Sequence, residues 1–319
     1  MRTIVGLDAA PPELVGGVLS IGNFDGVHRG HQRILHRTAA LARELGVPSV
    51  AMTFDPHPLS ILQPHQSVAI LTPLVEKLAQ IAACGVDFAL VAKTGEALLS
   101  LDAGDFVDRV IVEQLGARAV VEGASFHYGH ERAGNANTLQ AAGAARGFVV
   151  AIVDPVTVTL EDGQRETISS SRIRRAIAEH DLPLAMRALG RPYTLVGRVV
   201  HGKGRGRRLG FPTANLDLGR QMIPPNGVYA GKATLGNEKY LAAISIGHAP
   251  TFADVADAFV EAHLLDFDRE VYGQVLRVEV HHWLRAQAAY GSAQALCDQM
   301  AEDVRTVRRM VRDTPGEAA

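Results

Sequence analysis

Two histidines three residues apart, His28 and His31, follow two glycines in the run Ser20–Gln32, SIGNFDGVHRGHQ. An apolar run, Val18–Ile21, precedes them and a helical pattern with Ile34, Leu35, Leu41, Ala42 and Leu45 on one side follows. The segment therefore reads as a strand-to-helix junction, where unpaired amides and the helix dipole attract an anion. Gly22 and Gly26 let the backbone approach a phosphate, with Asn23, Phe24 and Asp25 between them, while His28 and His31 project from the first helical turn as donors. A nucleotide phosphate is the natural ligand, and in transfer at phosphorus such preorganised donors matter more than a base. The bland alternative is a histidine-capped helix whose glycines merely turn the chain.

Three more segments carry chemistry. Ser169, Ser170 and Ser171 precede Arg174, placing hydroxyl caps and a planar donor fork at a helix start. In Gly197–Leu216, GRVVHGKGRGRRLGFPTANL, the spacing Gly197 to Lys203 imitates a P-loop, but Gly204 stands where a hydroxyl residue is required and no following helix is read. Gly202, Lys203, Gly204, Arg208 and Gly210 instead offer amides and cations to phosphate, or form a solvated loop. Thr213 and Asn215 then place a hydroxyl and an amide oxygen on alternate positions of an extended segment, hard donors suited to Mg²⁺.

These residues need elements to position them. Between 18 and 185 short apolar runs alternate with helical-period stretches: strands at Val18–Ile21, Val50–Phe54, Asp87–Val91, Ala119–Glu122 and Val149–Val153, with helices between. Five parallel strands in a doubly wound sheet are expected. After helices near Arg172–Glu179 and Pro183–Leu189 the pattern becomes strands and turns, at Tyr193–His201, Gly227–Leu235, Lys239–Ile246, Phe259–Phe267 and Val275–His281, with Gly236-Asn237 as a hairpin turn and an amphipathic helix over Ser292–Arg312 at the end. Gly190-Arg191-Pro192 punctuates the change, so the expected domains are 1–186 and 187–319.

Composition narrows the classes. With 319 residues, 47% apolar and 21% charged, the chain has material for about two domains. Cys84 and Cys297 are its only cysteines and sit in no ligand spacing, which fits a reducing cytoplasm. Asp8, Pro11, Pro12 and Glu13 interrupt any leader-like apolar run, and no segment approaches a membrane span. Residues 1–186 carry 15 basic and 20 acidic side chains, a balance of −5; residues 187–319 carry 17 and 14, a balance of +3. Neither suggests a nucleic-acid-binding field, although Lys203, Arg205, Arg207 and Arg208 form a local cluster.

GNFDGVHRGH resembles the nucleotidyltransferase signature of bacterial bifunctional riboflavin kinase/FMN adenylyltransferases, the FAD synthetases. Thr53-Phe54-Asp55-Pro56-His57-Pro58 is similar to the family's FxPHP stretch, and Ile168–Arg174 to its ISSTxIR motif. Pro212-Thr213-Ala214-Asn215 is similar to the kinase PTAN motif, followed in order by Ile246-Gly247 with Pro250-Thr251-Phe252, by Glu261, and by Leu264–Phe267 with Tyr272-Gly273. The resemblance implies a Rossmann-like doubly wound nucleotidyltransferase domain followed by a small antiparallel β-barrel and a C-terminal helix. It implies FMN formation from riboflavin and ATP in the barrel, with Thr213 and Asn215 on Mg²⁺ and Glu261 as base, and FAD formation from FMN and a second ATP in the first domain. Phe54, Pro56, His57, Pro58, Ser125 and Phe126 fall where the flavin of the first site is expected. Only small-molecule partners are implied, neither nucleic acid nor membrane.

The chain departs from that pattern at Ser125 and His127, where the family carries an acid or amide and an arginine, and at Ser171 and Ser245, which replace Thr and Asn. A kinase with a weakened or inactive adenylyltransferase domain is therefore the first alternative. The second is a nucleotide-binding domain fused to an RNA-binding barrel through Lys203–Arg208, which requires strongly salt-dependent affinity.

Overall fold

The structure, a computed structural model, is described for residues 1–63, 69–202, 204–248 and 258–312. It divides into two compact units, Met1–Ser170 and Ser171–Ala319. In the first, strands β1 (Arg2–Val5), β2 (Val18–Ile21), β3 (Ser49–Asp55), β4 (Phe88–Lys93) and β5 (Ala119–Gly123) precede two short antiparallel strands, β6 (His127–Tyr128) and β7 (Gly134–Asn135). β8 (Val149–Val153) follows, then a hairpin of β9 (Thr157–Thr159) and β10 (Arg165–Thr167). A parallel sheet runs β1-β4-β3-β2-β5-β8. The helices between are α1 (Arg29–Leu45), α2 (Pro58–Leu62), α3 (Leu74–Ala83), α4 (Glu96–Leu99), α5 (Ala103–Asp105) with a π-helical continuation Phe106–Gln114, and α6 (Ala136–Arg146).

Five of these parallel strands were expected; the sixth, β1, is added at the edge. Its sequence RTIV buries only Ile4, so it lacks the continuous apolar run of a strand covered on both faces. β2 does have that run, and all four of its residues are buried. Alternation sends Leu19 and Ile21 into a cluster with Met52, Leu90 and Ile111, and Val18 into one with Leu41, Ala42 and Val121.

The second unit takes α7 (Ser170–Ala178) from its second residue onward and α8 (Leu182–Leu189), then forms a closed antiparallel barrel. Its strands are β11 (Tyr193–Val200), β12 (Ala214–Asp217), β13 (Gly227–Leu235), β14 (Glu238–His248), β15 (Ala258–Leu264) and β16 (Val275–Arg285), ordered β11-β12-β15-β14-β13-β16. α9 (Arg205–Arg208) lies between β11 and β12, so a one-turn helix does follow Gly204, contrary to expectation. The P-loop reading still fails, because position 204 lacks the hydroxyl and a single turn carries little dipole. β12 begins at Ala214, so Asn215 lies in the strand and Thr213 immediately precedes it, and Gly236-Asn237 makes the β13–β14 turn as the sequence suggests. α10 (Ala293–Arg312) packs Val304, Val307 and Val311 on the barrel, where Asp303 takes a two-pronged ion pair from Arg285 at 2.9 and 2.6 Å.

One buried group interrupts the apolar sheet. Glu122, near the end of β5, is 3% exposed and accepts the Ile21 amide at 2.6 Å and the Ser20 hydroxyl at 3.5 Å. Burial pushes its carboxyl well above the usual range, and these two bonds only partly offset that. The folded chain thus holds a proton that the unfolded chain releases above pH 4.5, so this group's contribution to stability declines as pH rises from there through the folded value. Glu122→Gln, which keeps the acceptor without the acid, is expected to raise the unfolding temperature increasingly as pH climbs from 5 toward 9 and to match the parent near pH 4. Thermal denaturation of both proteins across that range checks it, and a constant offset at every pH would refute it.

Candidate functional site

In a parallel sheet all strand C-termini share one edge, and the crevice opens where the connections leave β2 and β5 in opposite directions. The Gly22–His28 loop leaves β2 at that edge. Gly26 has φ 86°, and two non-glycine residues, Phe24 and Val27, also hold positive φ of 44° and 36°. Such conformations persist where packing over-determines them. Phe24 and Val27 are buried against Leu35, Ala51 and Ile81, and Asp25, 2% exposed, accepts the amides of Leu71 at 3.0 Å and Thr72 at 3.1 Å. Phe24 and Asp25, expected among the phosphate residues, are thus the loop's internal anchors, and their side chains are committed to the fold. Gly22, Asn23 and Gly26 remain as the stretches of main chain beside them.

His28 caps α1: its Nδ1 accepts the His31 amide at 3.3 Å, leaving the ring proton on Nε2. The two imidazoles stack with centroids 3.6 Å apart, and Phe24 meets His31 edge-on. Burial holds the His31 imidazole well below 6.5, with His28 and Lys77 adding repulsion, so it is neutral at physiological pH. Its Nδ1 is buried without a hydrogen-bond partner among the described residues. The sequence places both rings in one turn; the structure adds that they stack and that burial keeps His31 neutral.

Lys77 is the residue that sequence reasoning missed. It is 6% exposed, its ammonium lies 3.4 Å from the Thr53 hydroxyl, and Thr53 in turn donates to the Asn23 carbonyl at 3.2 Å. Burial lowers its pKa, while Asp25 and Asp55 pull it back up. Its signal in the sequence is position: four residues before the buried Ile81, it falls on the apolar stripe of α3, where a lysine needs a reason.

Phe54 packs on the core at the end of β3; Pro56 follows a cis peptide; His57 caps α2, whose first residue is Pro58. Ser125 is exposed beyond β5, Phe126 stacks on Tyr128, and the His127 ring is turned onto the Ser125 carbonyl at 2.9 Å. Ser170 donates to the Asp25 carbonyl at 2.8 Å, tying the serine motif to the loop. Ser171 and Arg174 continue along α7, which groups with the second unit.

In the barrel, register does the positioning. Glu261 on β15 pairs with Asn215 on β12 and with Ser245 on β14, so the three side chains share one face. Thr213 donates to Glu261 at 3.4 Å. Gly202 lies so close to the Asn215 amide that a Cβ there would fall 2.2 Å from Nδ2, and Gly204 and Gly210 hold φ of 64° and 84°. The glycine-rich loop is thereby folded onto the Thr213–Asn215 strand. Arg208 is exposed on α9, Arg207 pairs with Glu270 at 3.1 Å, and Lys203 and Pro250-Thr251-Phe252 lie outside the described residues. A cavity of about 470 Å³ opens beside this row, lined by Thr213, Glu261 and Ser245 at one side and by Leu296 and Met300 of α10. The contribution of α10 to this wall was not legible from its amphipathic pattern alone.

Hydroxyl, amide and carboxylate oxygens beside a cavity suit proton abstraction from an alcohol next to phosphate; stacked imidazoles at a helix start and a nearby lysine suit stabilisation of an anionic displacement. Comparisons with known proteins show the family. The FAD synthetase family model matches residues 10–172 and the riboflavin kinase model residues 189–311. Bifunctional riboflavin kinase/FMN adenylyltransferase of Pseudomonas fluorescens is 40% identical, over 97% of this chain and 98% of that protein. The protein of that name from Escherichia coli K12 is 38% identical, over 97% and 96%. A crystal structure from Streptococcus pneumoniae, described as a macrolide-efflux protein, superposes with a TM-score of 0.84 at 30% identity, covering 97% of this chain and 99% of that one. Among the described residues no helix is long and apolar enough to cross a membrane. Matched from end to end by relatives of one kind, the chain belongs to the bifunctional riboflavin kinase/FMN adenylyltransferases, transferases that phosphorylate riboflavin and adenylylate FMN.

Proposed function

We propose that residues 1–186 carry the adenylyl transfer and residues 187–319 the phosphorylation, with Glu261 as the base of the second. The observation that carries this division is the Asn215–Glu261–Ser245 row beside the barrel cavity, with Thr213 within 3.4 Å of the carboxylate. The 5′-hydroxyl of riboflavin loses its proton to Glu261 as its oxygen bonds to the γ-phosphorus of ATP, and the bond to the β–γ bridging oxygen breaks to release ADP. The main chain of the Gly202–Gly210 loop receives the phosphates, with Lys203 and Arg208 as counter-charges. Thr213 and Asn215 supply hard oxygen donors that fit Mg²⁺; when bound, the ion neutralises phosphate charge.

In the first unit an oxygen of the FMN phosphate attacks the α-phosphorus of ATP and pyrophosphate leaves. That oxygen is already ionised, so the residues have charge to stabilise and no proton to remove. His28 donates from Nε2, the α1 N-terminus and the Gly22–Gly26 main chain add dipoles, and Lys77 adds a charge in a low-dielectric setting. Phe54, Pro56, His57, Pro58, Ser125 and Phe126 line the flavin side, and Ser170 and Ser171 the nucleotide side with Arg174. The substrates are small molecules, with neither nucleic acid nor membrane as partner; Arg207 of the basic cluster, though exposed, is paired to Glu270. The free thiols of Cys84 and Cys297 suit the cytoplasm.

Separation of flavins over time, after incubation with ATP and Mg²⁺, tests the division. Glu261→Gln is expected to abolish FMN formation from riboflavin and to leave FAD formation from supplied FMN intact; the double change His28→Ala and His31→Ala is expected to do the reverse. Equal loss of both reactions in either protein would refute it. Lys77→Met is expected to slow FAD formation by on the order of a hundredfold, as removal of one preorganised charge does, with FMN formation unchanged; FAD formation at the parental rate would remove Lys77 from the site.

A further inference from the structure

The Glu122 carboxyl has a place in the first unit that its effect on stability does not account for. β2 pairs with β3 along its whole length, from Val18 with Ser49 to Ile21 with Met52, and β5 pairs with β8 from Ala119 with Val149 to Gly123 with Val153. Between β2 and β5, however, pairing stops after Val18 with Ala119 and Leu19 with Val120. Val18 and Gly22 donate their amides to the β3 side, to Pro48 at 2.8 Å and Met52 at 3.0 Å. Successive amides of a strand point to opposite neighbours, so the Ile21 amide faces β5, just past the last ladder pair. Its partner there is the Glu122 side chain at 2.6 Å, and the Ser20 hydroxyl reaches the same Oε1 at 3.5 Å.

A carboxyl in place of a ladder bond has a geometric consequence. The side chain stands between two main chains that would otherwise close on each other, where the connections leave β2 and β5 in opposite directions and the crevice opens. Gly22, the next residue, begins the loop that carries Gly26 and His28. The far part of that loop is fixed by Asp25 on the Leu71 and Thr72 amides, and by the Thr53 and Ser170 hydroxyls on the Asn23 and Asp25 carbonyls. Its root is fixed by Met52 on one side and Glu122 on the other. An apolar residue at 122 would leave the Ile21 amide, in a residue 3% exposed, without a partner, or would let the ladder continue and narrow the crevice.

We infer that Glu122 is a positioning residue of the adenylyl-transfer site: through the Ile21 amide it holds β2 and β5 apart and sets where the Gly22–Gly26 main chain meets the phosphates. The inference rests on adenylyl transfer belonging to residues 1–186. Glu122 touches no reacting atom, so its influence passes entirely through the placement of the loop.

Steady-state kinetics of FAD formation from supplied FMN and ATP test this in two variants, each assayed at a temperature where thermal denaturation shows it folded. Glu122→Gln reproduces the protonated acid with its acceptor; Glu122→Met keeps the length and lacks the acceptor. In Glu122→Met kcat is expected to fall roughly tenfold, as a displaced reacting geometry does, with KM for ATP within about twofold of the parent and FMN formation from riboflavin unchanged. Glu122→Gln is expected to hold the parental kcat. Parental kcat in Glu122→Met would reduce the carboxyl to a matter of fold stability, an equal fall in both variants would show that the acceptor is not what acts, and a rise in KM at parental kcat would place the effect in ground-state binding; each overturns the inference. If Glu122→Met does not fold, Glu122→Asp, one methylene short of the Ile21 amide, takes its place with the same outcomes. The underlying assignment fails differently, through FAD formation that survives the double change His28→Ala and His31→Ala, whereas failure of the Glu122 inference alone leaves that loss intact.

Discussion

A carboxylate buried at the root of a site built for anions sets the terms for the first unit. Asp25 is enclosed, and its oxygens are taken up by the amides of Leu71 and Thr72. An unpaired buried charge would cost several kcal/mol, which main-chain donors and a nearby ammonium offset. The consequence is geometric. With Asp25 clamped from one side and Phe24 packed into the core on the other, the chain between Gly22 and His28 has little freedom left, and two non-glycine residues stay in the left-handed region because nothing else fits. His28 can then cap α1 with its ring at the loop's mouth. Lys77 completes the arrangement: burial pushes its pKa down while Asp25 and Asp55 pull it back, and after burial and His28 its ammonium is the third influence that holds the His31 imidazole low.

The barrel reaches its geometry by another route. Strand register alone puts Asn215, Glu261 and Ser245 in a row, and a one-residue slip of β15 would turn Glu261 to the opposite face. Closure of the barrel removes the edges along which such a slip could spread. The loop above the row is placed by contact, with Gly202 against Asn215. α10, locked by the Arg285–Asp303 pair, supplies the apolar side of the cavity.

Much of this was legible in the sequence, and the misses have physical reasons. Strand β2, strand β13 and the β13–β14 turn stand where periodicity and the Gly236-Asn237 signal put them, since each is dictated by local pattern. β1 escaped because an edge strand with one buried residue leaves no apolar run, and α9 because a single turn has no period. The packing of the Asp25 and Phe24 side chains was not legible, because a motif shows which residues occur together, not which face the solvent and which face the core. Lys77 meets a distant partner, Thr53, and a contact between residues tens of positions apart leaves no spacing to read.

The two sites share a reaction class and differ in the acidity of their nucleophiles, and that difference accounts for the different materials from which they are made. A phosphate oxygen arrives ionised, so a site for it is best built from neutral donors, dipoles and one fixed cation, and a carboxylate near it must be neutralised internally, as Asp25 is. An alcohol must lose its proton, so a carboxylate must line the cavity, as Glu261 does beside Thr213. Placing the two demands on separate units with separate cores lets each carboxylate keep the environment its task requires. A single pocket serving both would have to shield one acid and expose another within the reach of the same phosphates.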